Sequence, residues 1–174
     1  MPFPNHPAFP ARFARIPEIK FYPYVGQDFG RQGKRVLVFA HNMYCVPEDY
    51  DAVMARTNSP DFFANAMEEY TWVQGWWTKT FRNFLKGSLG IKENFTDRSA
   101  PAVTSRINAF VRSIAYTNYV NDFVKSAQAT NVAVPASLLE RSHRVNRQVL
   151  DILQATHCIC WGSQVFNYLL HHQG

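Results

Sequence analysis

The chain has 174 residues, of which 47% are hydrophobic and 15% are aromatic. This length suits one well-packed core and is too short for two comfortable domains. The net charge of +5 permits a polyanionic partner such as nucleic acid, but the 18 Lys and Arg residues are scattered and are equally compatible with solubility alone. Three cysteines exclude a closed disulfide framework, and neither a signal peptide nor an apolar run of membrane length is found. We therefore predict a cytoplasmic protein without a membrane partner.

The N-terminal segment, residues 1–34, is predicted to be an extended arm that ends in a turn, and residues 35–174 are predicted to form a single α/β domain. Six prolines and six aromatic residues lie within residues 1–25. Because proline fixes φ and lacks a backbone N–H, we expect the arm to stay extended and to cover the domain with its aromatic side chains.

The central feature of the prediction is a run of apolar residues, Val36–Ala40, which is followed at once by polar side chains. Such a run predicts a strand buried on both faces, as found in parallel sheets. In open parallel sheets, ligands bind beyond the carboxyl ends of the strands. We therefore expect the functional site to lie within reach of His41, Asn42 and Tyr44.

Two helices are predicted after this strand. The first begins at Ser59-Pro60-Asp61, which supplies an N-cap, a proline at the first helical position and an acid for the macrodipole. Its apolar stripe, interpreted as core, comprises Phe62, Phe63, Ala66, Met67 and Tyr70. The second helix is predicted over Trp76–Ser88. Residues 92–105 are polar and contain Pro101, so they are predicted to form a surface loop.

A second parallel strand is predicted within Ser113–Asp122, with Asn118 near its carboxyl end. The loop that follows, residues 123–135, is long enough to cover a ligand. Ser137-Leu-Leu-Glu140 then fits a capping box at the start of an amphipathic helix. We expect the arginines of this helix to form a solvated face.

A third buried strand is predicted over His157–Trp161, and a turn at Gly162-Ser163 leads into a last helix over Gln164–His171. Strands therefore alternate with helices along the chain. This alternation predicts an α/β fold, a three-layer sandwich with a short parallel sheet between helices.

Each of the three predicted strands ends in polar side chains. These are Asn42 with Tyr44, Asn118 with Asn121, and Ser163 with Gln164. The carboxyl ends of parallel strands meet at one edge of the sheet, so we expect these groups to form one pocket. Amides together with an aromatic wall suit a planar heterocycle.

In three places the sequence resembles the uracil-DNA glycosylase superfamily. The segment Ala40–Cys45 stands where that family has a strand ending in Gly-Gln-Asp-Pro-Tyr-His or Gly-Ile-Asn-Pro. Ala115-Tyr-Thr-Asn118 is similar to the family's Leu-Leu-Leu-Asn, and Cys160-Trp-Gly-Ser163 is similar to its Leu-Trp-Gly-Ser. The Trp-Gly-Ser match is the most specific of the three.

The resemblance implies a uracil-DNA-glycosylase-like fold, a DNA or nucleobase-containing ligand, and hydrolysis of an N-glycosidic bond without a cofactor or metal. It places Asn42 at the position that orients the attacking water. Tyr44 stands where a tyrosine packs against C5 of the base, and Asn118 where an asparagine pairs with the Watson–Crick edge. His41 and Ser163 complete the implied base-binding set.

The sequence also departs from the family. A neutral amide at Asn42 orients water but supplies no negative charge to an oxocarbenium-like transition state. The family's fourth strand and histidine loop have no counterpart before Gly174, which suggests a shortened member or a fragment. Gly26-Gln-Asp-Phe29 matches the letters of the first family motif, yet we reject it because Pro23 interrupts the run before it. Either Phe39 or Phe62 is the candidate ring for stacking on the base.

Other interpretations stay open. Asn42 is equally well explained as the N-cap of a following helix. A zinc site at His41, Cys45, His157, Cys158 and Cys160 is disfavoured by the Cys-x-Cys spacing. Two alternative functions are a catalytically inactive nucleic-acid-binding or interaction module of the same fold, and an enzyme that processes nucleosides or nucleotides. No Gly-x-Gly-x-x-Gly or phosphate loop supports a dinucleotide or triphosphate site.

Overall fold

A computed structural model describes residues 3–45, 49–57, 62–73, 75, 78–92, 95, 100–125 and 133–171. The strands are β1 (Tyr24–Val25), β2 (Val36–Ala40), β3 (Met43–Cys45), β4 (Ile114–Asn118), β5 (Phe123–Lys125) and β6 (His157–Cys160). The helices are α1 (Pro10–Phe13), α2 (Tyr50–Thr57), α3 (Phe62–Trp72), α4 (Lys79–Leu89), α5 (Pro101–Ser113), α6 (Ala136–Leu153) and α7 (Ser163–His171). The protein is thus a mixed α/β structure.

The main sheet has four strands in the order β1-β4-β2-β6. Strand β2 pairs in parallel with both β4 and β6, whereas β1 pairs antiparallel with β4. The register places Ala40 opposite Asn118 and Phe39 opposite Cys160. The three predicted parallel strands are therefore confirmed. A separate two-stranded parallel sheet joins β3 to β5.

Strand β2 contributes to hydrophobic clusters on both of its faces. Val38 belongs to a cluster that includes buried residues of α3, α4 and α5. Leu37 and Phe39 belong to a second cluster, which includes buried residues of α1, α6 and α7. Burial on both sides explains why β2 is apolar throughout.

The helical stripes lie where their spacing predicts, but some helix boundaries differ. Residues 58–61, where the first helix was expected to begin, lie outside the described residues, and α3 is described from Phe62. Helix α4 begins at Lys79 and ends at Gly90, whose φ of 61° is the left-handed conformation that glycine adopts at low cost. The predicted loop 92–105 is wrong for its last residues, because Pro101 opens α5 as a proline at the first helical turn.

Two further expectations are corrected. The capping box at Ser137 is not formed: α6 begins one residue earlier, with Pro135 at the N-cap and its carbonyl accepting from the Leu139 N–H at 3.0 Å. Strand β6 is not buried. It has a single neighbour in the described part of the sheet, and His157 and Cys158 are exposed. Its apolar composition predicted burial, but composition does not reveal a position at the edge of a sheet.

The N-terminal segment is built into the fold. It supplies the helix α1 and the sheet strand β1, neither of which the sequence indicated, and its side chains Phe3, Phe13 and Phe21 are buried. Among the described residues, no helix is both long enough and apolar enough to cross a membrane.

Asn121 joins the N-terminal segment to the end of the main sheet. Its side-chain nitrogen donates to the Phe21 carbonyl at 3.0 Å, and its side-chain oxygen accepts from the Lys20 N–H at 2.6 Å. Its own backbone N–H donates to the Ser142 hydroxyl oxygen of α6 at 3.0 Å. Asn121 and Phe21 are each only 1% exposed, so water cannot replace the hydrogen bonds that join them.

We expect Asn121→Ala to lower the free energy of unfolding by about 2–4 kcal/mol, because it leaves the buried backbone N–H and carbonyl of Phe21 without their Asn121 partner. Urea denaturation measures this loss. Asn83→Ala, at an exposed position of α4, is the matched control and should stay within about 0.5 kcal/mol of the parent. Equal effects of the two substitutions would contradict the structural role of Asn121.

Candidate functional site

A cavity of about 420 Å³ opens at the carboxyl edge of the parallel strands. Its described lining residues come from β2, β3, β4 and the segments that follow β2 and β6, and from the helices α3 and α4. They are Ala40, His41, Asn42, Met43, Tyr70, Thr80, Phe81, Tyr116, Asn118, Trp161 and Gly162. The volume lies within the range of small-ligand sites, about 300–1,000 Å³.

Backbone hydrogen bonds that continue beyond the strands hold this edge together. The N–H of Tyr119 donates to the Ala40 carbonyl at 2.7 Å, and the N–H of Val120 donates to the His41 carbonyl at 3.0 Å. On the other side of β2, the Trp161 N–H donates to the Phe39 carbonyl at 2.8 Å. The residues that face the cavity are therefore set on a rigid frame rather than on a long loop.

His41 and Asn42 each bring an unsatisfied polar atom to the cavity region. The Nε2 atom of His41 and the Nδ2 atom of Asn42 are buried and have no hydrogen-bond partner in the described part of the chain. The His41 ring stacks on Tyr168 of α7, with ring centroids 5.9 Å apart. Burial lowers the pKa of His41 from its ordinary value, so at neutral pH the imidazole is uncharged.

Asn118, the last residue of β4, is 3% exposed and lines the cavity. Its Oδ1 atom accepts a long hydrogen bond, 3.5 Å, from the Tyr116 hydroxyl. The Tyr116 ring packs edge-on against Phe63 and Phe81, and burial raises the pKa of its hydroxyl well above the ordinary value. Tyr116 thus stays protonated beside the Asn118 amide.

Aromatic side chains form the walls of the cavity. The ring centroid of Trp161 lies 5.4 Å from that of Phe84 and 6.3 Å from that of Phe81. Tyr70 of α3 also lines the cavity. Burial raises the pKa of Tyr70 to about 12, which keeps its hydroxyl protonated and able to donate. The walls therefore offer ring faces and neutral hydroxyls.

The sequence placed the stacking ring at Phe39 or Phe62, and the described cavity lining contains neither. Phe39 is buried against Tyr119 in the second core cluster, and Phe62 packs on Phe21 and Phe63. Rings of Phe81 and Trp161 line the cavity instead. The helical spacing of Phe81 is the same as that of a core residue, so the sequence could not identify it as a cavity residue. Trp161 could have been identified, because it belongs to the Trp-Gly-Ser match.

Two members of the predicted set are placed differently from the rest. Ser163 is exposed as the first residue of α7 and is not among the described lining residues, although the preceding Gly162 is. Tyr44 is the middle residue of β3, where it pairs with Val124, and its side chain lies outside the described structure. The structure thus brings His41, Asn42 and Asn118 together and leaves their roles as predictions.

The structure rules out a helix N-cap at Asn42, because the strand β3 begins at the next residue. It also separates the Gly26–Phe29 segment from the cavity. The Gly26 N–H donates to the Ile114 carbonyl at the amino end of β4, which is the opposite edge of the sheet. Asp28 there forms ion pairs with Arg31 at 2.6 Å and Arg112 at 2.9 Å.

The chemistry of the cavity is neutral. None of the lining residues that the structure describes is Asp, Glu, Lys or Arg. Nor do the described residues contain a group of three or more His, Cys, Asp or Glu side chains able to hold a metal ion. The arrangement suits an uncharged planar ligand that combines hydrogen-bonding edges with a flat face.

Comparisons with protein-family models, with curated proteins and with solved structures find no match to this chain.

The half-buried imidazole of His41 predicts acid sensitivity. Its pKa is lowered in the folded protein, so below about pH 6.5 the unfolded chain binds more protons at this position and stability falls with pH. We expect His41→Gln to lose less stability than the parent between about pH 7.5 and pH 5.5. Urea midpoints at the two pH values measure the difference.

An NMR titration of the imidazole C2–H resonance provides the complementary reading. The resonance that disappears in His41→Gln should titrate below pH 6.5 in the parent protein. Parallel loss of stability in the parent and His41→Gln would contradict a neutral, half-buried His41.

Proposed function

We propose that the cavity binds a nucleobase, and that the protein is a uracil-DNA-glycosylase-like hydrolase acting on the N-glycosidic bond of a nucleobase in DNA. The observation that carries this proposal is the convergence of two amides, Asn42 and Asn118, with the rings of Phe81 and Trp161 in one cavity. Amides supply donors and acceptors for the edge of a base, and aromatic rings stack on its face.

The fold supports the same proposal. Helices contribute to clusters on both faces of a short, mostly parallel sheet, which fits the three-layer arrangement inferred from the sequence. The three segments that resemble the glycosylase motifs end β2, β4 and β6, and all three ends reach the cavity edge. Their agreement in space is more specific than any one short motif in the sequence.

In the proposed reaction, a water molecule attacks C1′ of the sugar as the bond from C1′ to the base nitrogen breaks. The leaving base keeps the bonding electron pair, and the water proton is released. Asn42 would orient the water through its side-chain amide, and Asn118 would hold the base edge. Because Asn42 is neutral, it stabilises the oxocarbenium-like transition state less than a carboxylate would, so slow turnover is expected.

One observation favours a second function. The described cavity lining carries no formal charge, and a neutral pocket is sufficient for holding a base without breaking its bond to the sugar. A binding module of the same fold would keep the contacts of Asn118 and the aromatic walls, and it would have no need for the water at Asn42.

We expect abasic product from uracil-containing single- or double-stranded DNA, with the rate reduced about 10-fold or more in Asn42→Ala and in Asn118→Ala. Denaturing gels after alkaline cleavage measure the product. Asn83→Ala, on the exposed side of α4, should retain the parent rate.

The two variants also separate the two functions. Loss of cleavage in Asn42→Ala with base affinity retained supports hydrolysis. Binding without cleavage in the parent, weakened by Asn118→Ala alone, identifies the binding module. Absence of both binding and cleavage, or activity unchanged in both variants, removes the nucleobase assignment.

A further inference from the structure

The outer side of β6 is an open sheet edge. Among the described residues, β6 pairs only with β2, and the N–H groups of His157 and Trp161 point inward to the carbonyls of Arg35 and Phe39. Because backbone groups alternate in direction along a strand, Cys158 and Cys160 turn their N–H and C=O groups outward. Such groups are a template for another β-strand.

The neighbouring helix α7 has apolar side chains that pack into the core and others that stay exposed. Val165 is buried, and Tyr168 contacts the rings of His41 and Tyr119, which follow the inner strands β2 and β4. Phe166 and Leu170, one turn apart on α7, form an exposed flank of the helix and are 52% and 50% exposed. Besides these two, Val73 is the only exposed large hydrophobic side chain among the described residues.

The same region carries no charge. Residues 157–171 contain no Asp, Glu, Lys or Arg, so all of the charged residues that give the chain its net +5 lie elsewhere. Two copies of a chain with a net positive charge repel one another at long range. Contact along β6 and α7 adds no like-charged side chains of these two segments to that repulsion.

We propose that the β6 edge and the Phe166–Leu170 flank form an interface between two copies of this chain. The outward groups of β6 require a strand as the partner, and the neutral surface fits a second copy of the same charge. Pairing about a two-fold axis at Ile159 sets Cys158 opposite Cys160 of the partner subunit, with four backbone hydrogen bonds. The two α7 flanks then cover each other's apolar side chains.

Unlike many edge strands, β6 has no residue that prevents such pairing. The sequence His157–Cys160 contains no lysine or proline, which are the usual means of blocking contact between sheet edges. The two β6 strands would join the four-stranded sheets into one continuous sheet. The interface is independent of the proposed cavity function, since it requires no ligand.

Light scattering of the full chain after size-exclusion chromatography tests this interface. The expected mass is twice the 20.0 kDa of one chain, and the double variant Phe166→Lys/Leu170→Lys should return it to a single chain. Those lysines face their own copies across the two-fold axis and repel. Val73→Lys adds a charge at the other exposed apolar position and should leave the dimer intact.

A bismaleimide cross-linker followed by peptide mapping locates the contact in the parent protein, without depending on how well a variant folds. The expected product joins the Cys158–Cys160 peptides of two chains, and the amides of Cys158 and Cys160 should be protected from hydrogen exchange. A mass of one chain at the highest soluble concentration overturns the proposal. So does a dimer that persists in the double variant, or one whose cross-links lie elsewhere.

Discussion

The structure depends on the parallel pairing of β2 with two strands that come much later in the chain. β4 and β6 lie on either side of β2, and the backbone ladder extends past the strands through the carbonyls of Phe39, Ala40 and His41. This ladder sets the relative positions of Asn42, Asn118 and Trp161. Each residue is ordinary by itself, and the register of the sheet makes them neighbours. The candidate site is therefore a property of the strand pairing more than of any single loop.

Much of the sheet could be predicted because burial on both faces leaves a clear mark on the sequence. The run Val36–Ala40 has no polar residue, since both of its faces contact core clusters. The edges were harder to predict. Strand β6 has a similar composition and yet is partly exposed. Composition shows that a strand is apolar, but it does not show how many strands pair with it. Strand β1 was missed altogether, since two residues among prolines show no periodicity.

The candidate site, like the sheet, was only partly predictable from the sequence. The rule that sites lie at the carboxyl ends of parallel strands predicts that His41, Asn42 and Asn118 are near one another, because it follows from chain direction alone. The aromatic walls were not accessible to that argument. Phe81 and Tyr70 sit on helices at core spacing, and only the packing of α3 and α4 over the sheet edge decides that they face a cavity. The same rule placed Asn121 in the pocket, because it is a polar residue near the end of a strand. In the structure its side chain hydrogen-bonds to the N-terminal segment instead.

The long separation between the strands paired with β2 also bears on how the protein is made. During synthesis, β2 emerges well before β4 and even longer before β6. Its apolar residues are therefore unpaired until these two strands have been made. Native pairings of such sequence separation form slowly. The cavity cannot acquire its Trp161 wall until β6 has docked, which makes this wall one of the later parts of the molecule to assemble. Until β4 and β6 pair with β2, a newly made chain exposes apolar side chains and unpaired strand edges. At this stage it is most prone to aggregate, and chaperones would have their largest effect.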